Sequence, residues 1–112
     1  MDYLKYLNDK TKFETDKNDC WTFCQQIFKN EQNKELPNHP YLLSNEHSAA
    51  FLLENLKYRF IDKPKAGALI YYKNGDIHHA GYALSDKKMI HKTIKGVKVD
   101  TIPENVIILE IL

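Results

Sequence analysis

The sequence predicts an α+β domain, with N-terminal helices packed on a five-stranded, mostly antiparallel sheet. Three observations predict it. Cys20, Phe23, Cys24, Ile27 and Phe28 recur at the spacing of an amphipathic helix. From Ala68 onward the apolar pattern shortens to that of strands, punctuated by the turn signals Asn74-Gly75, Ser85-Asp86-Lys87-Lys88 and Lys95-Gly96. Helices come first and strands second, an order that segregates the two layers and sets the first long helix across the sheet.

Taken in order, residues 2–8 form a short helix with Tyr3, Leu4 and Leu7 on one side. Lys10 to Asn18 is polar apart from Phe13 and reads as a loop. Asn18 and Asp19 offer short oxygen side chains to cap a helix from about Cys20 to Gln32. Leu36-Pro37-Asn38-His39-Pro40 breaks the chain. Ser44 then caps a second helix over Asn45 to Phe60, its stripe made by Ala49, Leu52, Leu53, Leu56 and Phe60, with His47 a first-turn surface residue. The strands are Ala68 to Lys73, Ile77 to Leu84, Met89 to Ile94, Val97 to Ile102 and, after the Pro103-Glu104-Asn105 break, Val106 to Leu112.

The 112 residues make one domain, able to bury a single core without covalent staples. Apolar residues at 43% and charged residues at 28% are ordinary for a soluble globular chain. A net charge of +1 argues against nucleic-acid or membrane-surface binding driven by bulk charge. No run approaches the roughly 18 apolar residues of a membrane span. The N-terminal residues lack the apolar core of a signal peptide, so the expectation is synthesis in the cytoplasm. Cys20 and Cys24, on one helix, point the same way, a poor geometry for a disulfide. No second ligand pair at zinc-site spacing accompanies them, so neither a metal nor a cofactor is expected.

The chemistry-bearing residues converge on Cys20. At the start of a helix the backbone N–H groups are unspent and the dipole is positive, which favours a thiolate and an ionisation near neutral pH. Strand alternation puts His79 and Gly81 on one face, and His91 shares a face with Met89 and Thr93. The two histidines are twelve positions apart across a turn, so they are either directly opposite or diagonal. One imidazole can take the thiol proton while the second orients it. The small residues Ala80-Gly81 after His79 imply close approach by another element, for which the Cys20 helix is the candidate. His78 reads as a water-exposed strand residue, and Cys24 as core.

These residues resemble a family. Asp19-Cys20-Trp21-Thr22-Phe23 resembles the Asp-Cys-Ser-Gly-Phe motif of the NlpC/P60 cysteine peptidases. Pro64-Lys65-Ala66-Gly67-Ala68-Leu69-Ile70 is similar to their Pro-x-x-Gly-Asp-Leu-Val strand, and His79-Ala80-Gly81-Tyr82 to their His-Val-Gly-Ile strand. Ile90-His91-Lys92-Thr93 matches the next strand, which carries the third polar residue. Trp after Cys, with Glu35-Leu36-Pro37 closing the helix loop, looks most like the phage-encoded, tail-tip branch.

The resemblance implies a papain-like minimal core, with Cys20 as nucleophile, His79 as general base and acid, and His91 as the orienting residue. It implies hydrolysis of amide bonds in cell-wall stem peptides, and phage tail-tip or hub proteins as partners, hence incorporation in a virion tail. Trp21 and Thr22 stand where the family has a small pair and are expected to change or narrow the cleft beside the nucleophile. Ala68 stands in place of the usual Asp. Two further readings are a catalytically silent structural module of a phage tail, motivated in part by the Trp21 and Ala68 departures, and an amidase or acyl-transfer relative with the same Cys-then-His order acting on another substrate.

Overall fold

The computed structural model of the chain describes residues 2–14, 18–37, 57–74 and 77–112. A one-turn helix, α1 (Leu4–Leu7), precedes the long helix α2 (Cys20–Gln32). Six strands follow: β1 (Tyr58–Phe60), β2 (Leu69–Asn74), β3 (Ile77–Ala83), β4 (Lys88–Thr93), β5 (Gly96–Thr101) and β6 (Ile107–Ile111). They form one sheet in the order β1-β6-β2-β3-β4-β5. Every pairing among the described residues is antiparallel.

The fold class is the one the sequence predicts, with one correction: the sheet has six strands, not five. Tyr58–Phe60, expected as the end of the second helix, pairs with β6 through Tyr58↔Ile111, Arg59↔Glu110 and Phe60↔Leu109. Partnership with an otherwise open edge overrides the helical spacing of Leu52, Leu56 and Phe60. The rest of that expected helix, with Ser44 and His47, lies outside the described residues, as do His39 and the Gly75-Asp76 turn.

Helix α2 has the predicted bounds because both ends are chemically marked. Asp19 is extended, and its carboxylate accepts from the Thr22 N–H at 3.0 Å. The Thr22 hydroxyl in turn accepts from the Asp19 N–H at 2.8 Å, completing a capping box. At the other end Asn33 takes the left-handed conformation (φ 53°) and donates to the Lys29 carbonyl at 3.1 Å. Between the caps, Trp21, Phe23, Cys24, Ile27 and Phe28 are buried. A cap contributes about 1 kcal/mol, whereas each large apolar side chain contributes about 1.5–3 kcal/mol on burial. The stripe therefore holds the helix to the sheet, and the cap decides where it begins.

The stripe covers Leu69, Tyr71, Ala80, Tyr82 and Ile90 on one sheet face. A second core, with Ala68, Ile70, Ala83, Met89 and Ile108, fills the opposite face. Ala68, where the family has Asp, is 1% exposed in this second core. Tyr6 ties α1 to α2, with its ring edge-on to Phe23 and its hydroxyl donating to Glu31 at 2.6 Å.

Trp21 corrects a second expectation. It is 1% exposed, and its indole N–H donates to the Pro37 carbonyl at 2.7 Å. It therefore holds the chain that returns from α2 and does not narrow the cleft. Gln25, which carries no information in the sequence, donates to the Leu36 and Pro37 carbonyls at 3.2 and 3.0 Å. Substitution separates these roles. Trp21→Phe is expected to cost about 1 kcal/mol, the indole–carbonyl hydrogen bond alone, since Gln25 still donates to the Pro37 carbonyl, and Trp21→Ala about 3–5 kcal/mol. Urea unfolding checks both values, and equal costs would contradict the indole–carbonyl role.

Candidate active site

The capping box also allocates the amides at the start of α2. Thr22 N–H is taken by the Asp19 carboxylate and Phe23 N–H by the Asp19 carbonyl. The amides of Cys20 and Trp21 are turned toward the Cys20 sulfur instead. A third amide, Ala80 N–H of β3, also comes close enough to that sulfur to favour its ionised form. The thiol is thus docked against the residue that follows His79, as the small Ala80-Gly81 pair implied. Cys20 is only partly buried, whereas Cys24, one turn on, is 0% exposed in the core as expected.

His79 stands opposite Tyr72 of β2, and the two rings meet edge to face at 5.4 Å between centroids. Its Nε2 lies 2.6 Å from Nδ1 of His91. The β3–β4 register, set by Tyr82↔Ile90 and Ala83↔Met89, carries on to place His91 across from Gly81. Of the two arrangements the sequence allows, the structure takes the diagonal one. Gly81 makes it possible. A Cβ there would lie 2.9 Å from Met89 Sδ and 3.4 Å from His91 Cβ. With no side chain in the way, the buried His91 ring leans along the sheet to His79 and meets it edge to face, at 84°.

A fourth residue joins the row. His91 Nε2 lies 2.7 Å from a carboxylate oxygen of Asp100 on β5. Asp100 is opposite Met89, and Lys98 is opposite His91, so this step is diagonal too. Asp100 does not stand out in the sequence as a site residue. Its signal was available in the alternation of Lys98 and Asp100 on the strand beside His91, but on an edge strand such alternation reads as a solvated face. The next residue, Lys92, points to the other face, where it is 3% exposed and lies 3.5 Å from Asp9.

The electrostatics depart from expectation. Burial, with the Asp19 carboxylate adding to it, pushes the Cys20 thiol up to about 11, against the pull of the surrounding amides. Desolvation thus outweighs the helix start, and the expected ionisation near neutral pH is not found. Burial and the neighbouring His91 bring His79 down to about 4. At neutral pH Cys20 is therefore a thiol and His79 an uncharged imidazole. Burial also raises the Tyr71 and Tyr72 hydroxyls, helped by the proximity of Cys20. Among the described residues no group of three His, Cys, Asp or Glu side chains is arranged to hold a metal ion. No helix among them is long and apolar enough to cross a membrane.

The sequence model of the NlpC/P60 family matches residues 8–110, nearly the whole chain. The chain belongs to the NlpC/P60 family. A search of curated proteins gave no match. Membership in the NlpC/P60 family makes a hydrolase of the cell-wall peptidase type the general expectation for the chain.

Two measurements follow from these protonation states. His79 is lowered from an ordinary 6.5 to about 4, so the unfolded chain binds the proton more readily. Its contribution to stability is complete above about pH 6.5 and is lost as pH falls through about 4, on the order of 3 kcal/mol in all. The carboxylates of Asp9, Glu31 and Glu110 are also lowered, but from 3.8 or 4.5, so their losses come below that. Urea unfolding between pH 6.5 and 4.5 is expected to show a slope that His79→Gln removes; an unchanged slope would contradict it. Separately, iodoacetamide should modify Cys20 slowly at pH 7 and faster toward pH 10, with Cys24 inert. Rapid, pH-independent labelling of Cys20 below pH 8 would contradict the raised thiol.

Proposed function

We propose that the chain is a thiol hydrolase that cuts amide bonds in the peptide stems of bacterial cell walls, on a papain-like minimal core. What supports this reading is the approach of the Cys20 sulfur to the Ala80 amide, the residue after His79, together with the pairing of the His79 and His91 rings at 2.6 Å. In this mechanism the Cys20 sulfur attacks the scissile carbonyl carbon and His79 takes the thiol proton. His91 holds the His79 ring in place. The Cys20 and Trp21 amides, unspent by the cap, stabilise the oxyanion. His79 then returns its proton to the departing amine, leaving a thioester on Cys20. A water gives a proton to His79 as it attacks the thioester, and the thiol is restored as the carboxylate product leaves.

The resting pair suits general-base catalysis, because a neutral imidazole is ready to accept. Proton transfer accompanies attack instead of preceding it. The tail-tip setting, with phage tail or hub proteins as partners, is part of the proposal. It rests on the resemblance carried by Trp21 and by Glu35-Leu36-Pro37. One observation favours a second reading, a catalytically silent assembly module: the thiol is held protonated far above neutral pH. An amidase or acyl-transfer relative would share the same steps with another substrate.

Purified peptidoglycan decides between them. Wild type is expected to release stem-peptide fragments, identified by mass spectrometry. Cys20→Ala should abolish release with the far-UV spectrum unchanged, and His79→Ala should lower it at least about 100-fold. Equal turnover by wild type and Cys20→Ala would overturn the hydrolase reading. Absence of turnover, with stoichiometric recovery on tail proteins, would favour the silent module.

A further inference from the structure

We propose that Asp100 is a positioning residue that fixes the tautomers of both imidazoles, so that His79 presents a bare Nδ1 to the Cys20 thiol. The inference rests on the hydrolase reading and deepens it. The geometry is a single row across three strands: Asp100 Oδ2 to His91 Nε2 at 2.7 Å, then His91 Nδ1 to His79 Nε2 at 2.6 Å. Each ring uses both or one of its nitrogens in this row, and a neutral imidazole has one donor and one acceptor. Two neutral rings by themselves allow the row to run in either direction. In one, His79 Nε2–H donates to His91 Nδ1. In the other, His91 Nδ1–H donates to His79 Nε2, and His79 then carries its proton on Nδ1.

Only the first direction leaves His79 able to accept a proton at Nδ1, the nitrogen not engaged by His91. A carboxylate removes the ambiguity because it can only accept. Asp100 therefore holds the proton of His91 on Nε2. His91 Nδ1 becomes the acceptor, His79 Nε2 the donor, and His79 Nδ1 is bare. The carboxylate never touches the reacting atoms; it acts through His91. Its side chain is 54% exposed, whereas that of His91 is 8% exposed. The carboxylate thus keeps part of its hydration while fixing a ring that has little access to water. That exposure limits the size of the effect and lets the residue be changed without opening the core.

Long-range 1H–15N spectra of the histidine rings at pH 7 test this directly, because protonated and bare ring nitrogens resonate far apart. Wild type is expected to show His91 protonated at Nε2 and His79 protonated at Nε2. In Asp100→Ala both rings should become mixtures of tautomers, with the backbone amide fingerprint otherwise retained. On peptidoglycan fragments kcat should fall about tenfold with KM unchanged, since ground-state binding is not altered. Unaltered tautomers in Asp100→Ala, or a wild-type His79 protonated at Nδ1, would overturn the proposal. Wild type that hydrolyses nothing would instead remove the hydrolase reading, and the ring spectra would still decide whether Asp100 sets the tautomers.

Discussion

The site depends on one contact, the approach of the Ala80 amide of β3 to the sulfur of Cys20. It ties the first residue of α2 to the strand that carries His79. Everything around it serves to keep that contact in register. The Asp19–Thr22 capping box determines that the helix begins at Cys20, and not a residue earlier or later. The buried stripe from Trp21 to Phe28 presses the helix onto Tyr71, Ala80 and Tyr82. Trp21 and Gln25 hold the returning chain at Leu36 and Pro37. A helix start that slid by one residue would rotate the sulfur by about 100° and part it from β3.

The same contact has an electrostatic cost. Docking removes water from the thiol, and the three amides around it do not make up the loss. His79 is desolvated too, so both groups rest uncharged. Beside His79 stands another imidazole, and the carboxylate of Asp100 lies one ring further out. The diagonal row from β3 to β5 exists because Gly81 leaves open the space between His79 and His91.

Much of this was legible in the sequence, for identifiable reasons. The bounds of α2 follow from a cap and a 3.6-residue apolar period that agree with each other. Strands β2 to β6 follow from alternation bounded by turn residues. Cys20, His79 and His91 could be singled out because thiol chemistry needs a sulfur and two rings, and the chain places them on elements that must pack together. What was missed depends on tertiary context. Strand β1 has the apolar spacing of a helix and becomes a strand only by pairing with β6. Asp100 alternates like a surface residue, and its partner becomes apparent only when the register of β4 with β5 is known. Trp21 looks like an obstruction in a motif that has small residues there, yet its rotation about the helix turns it inward. The thiol's protonation is not legible in the sequence, because a helix start is visible there and burial is not.

The central claim is that Cys20 attacks with His79 as its base. A stem tetrapeptide carrying an acyloxymethyl ketone at the scissile carbonyl tests it most directly, read by peptide mass mapping at pH 7. The account predicts a single thioether adduct, on Cys20, whose formation is nearly lost in His79→Ala. No adduct, an adduct on Cys24, or equal labelling of wild type and His79→Ala would contradict it.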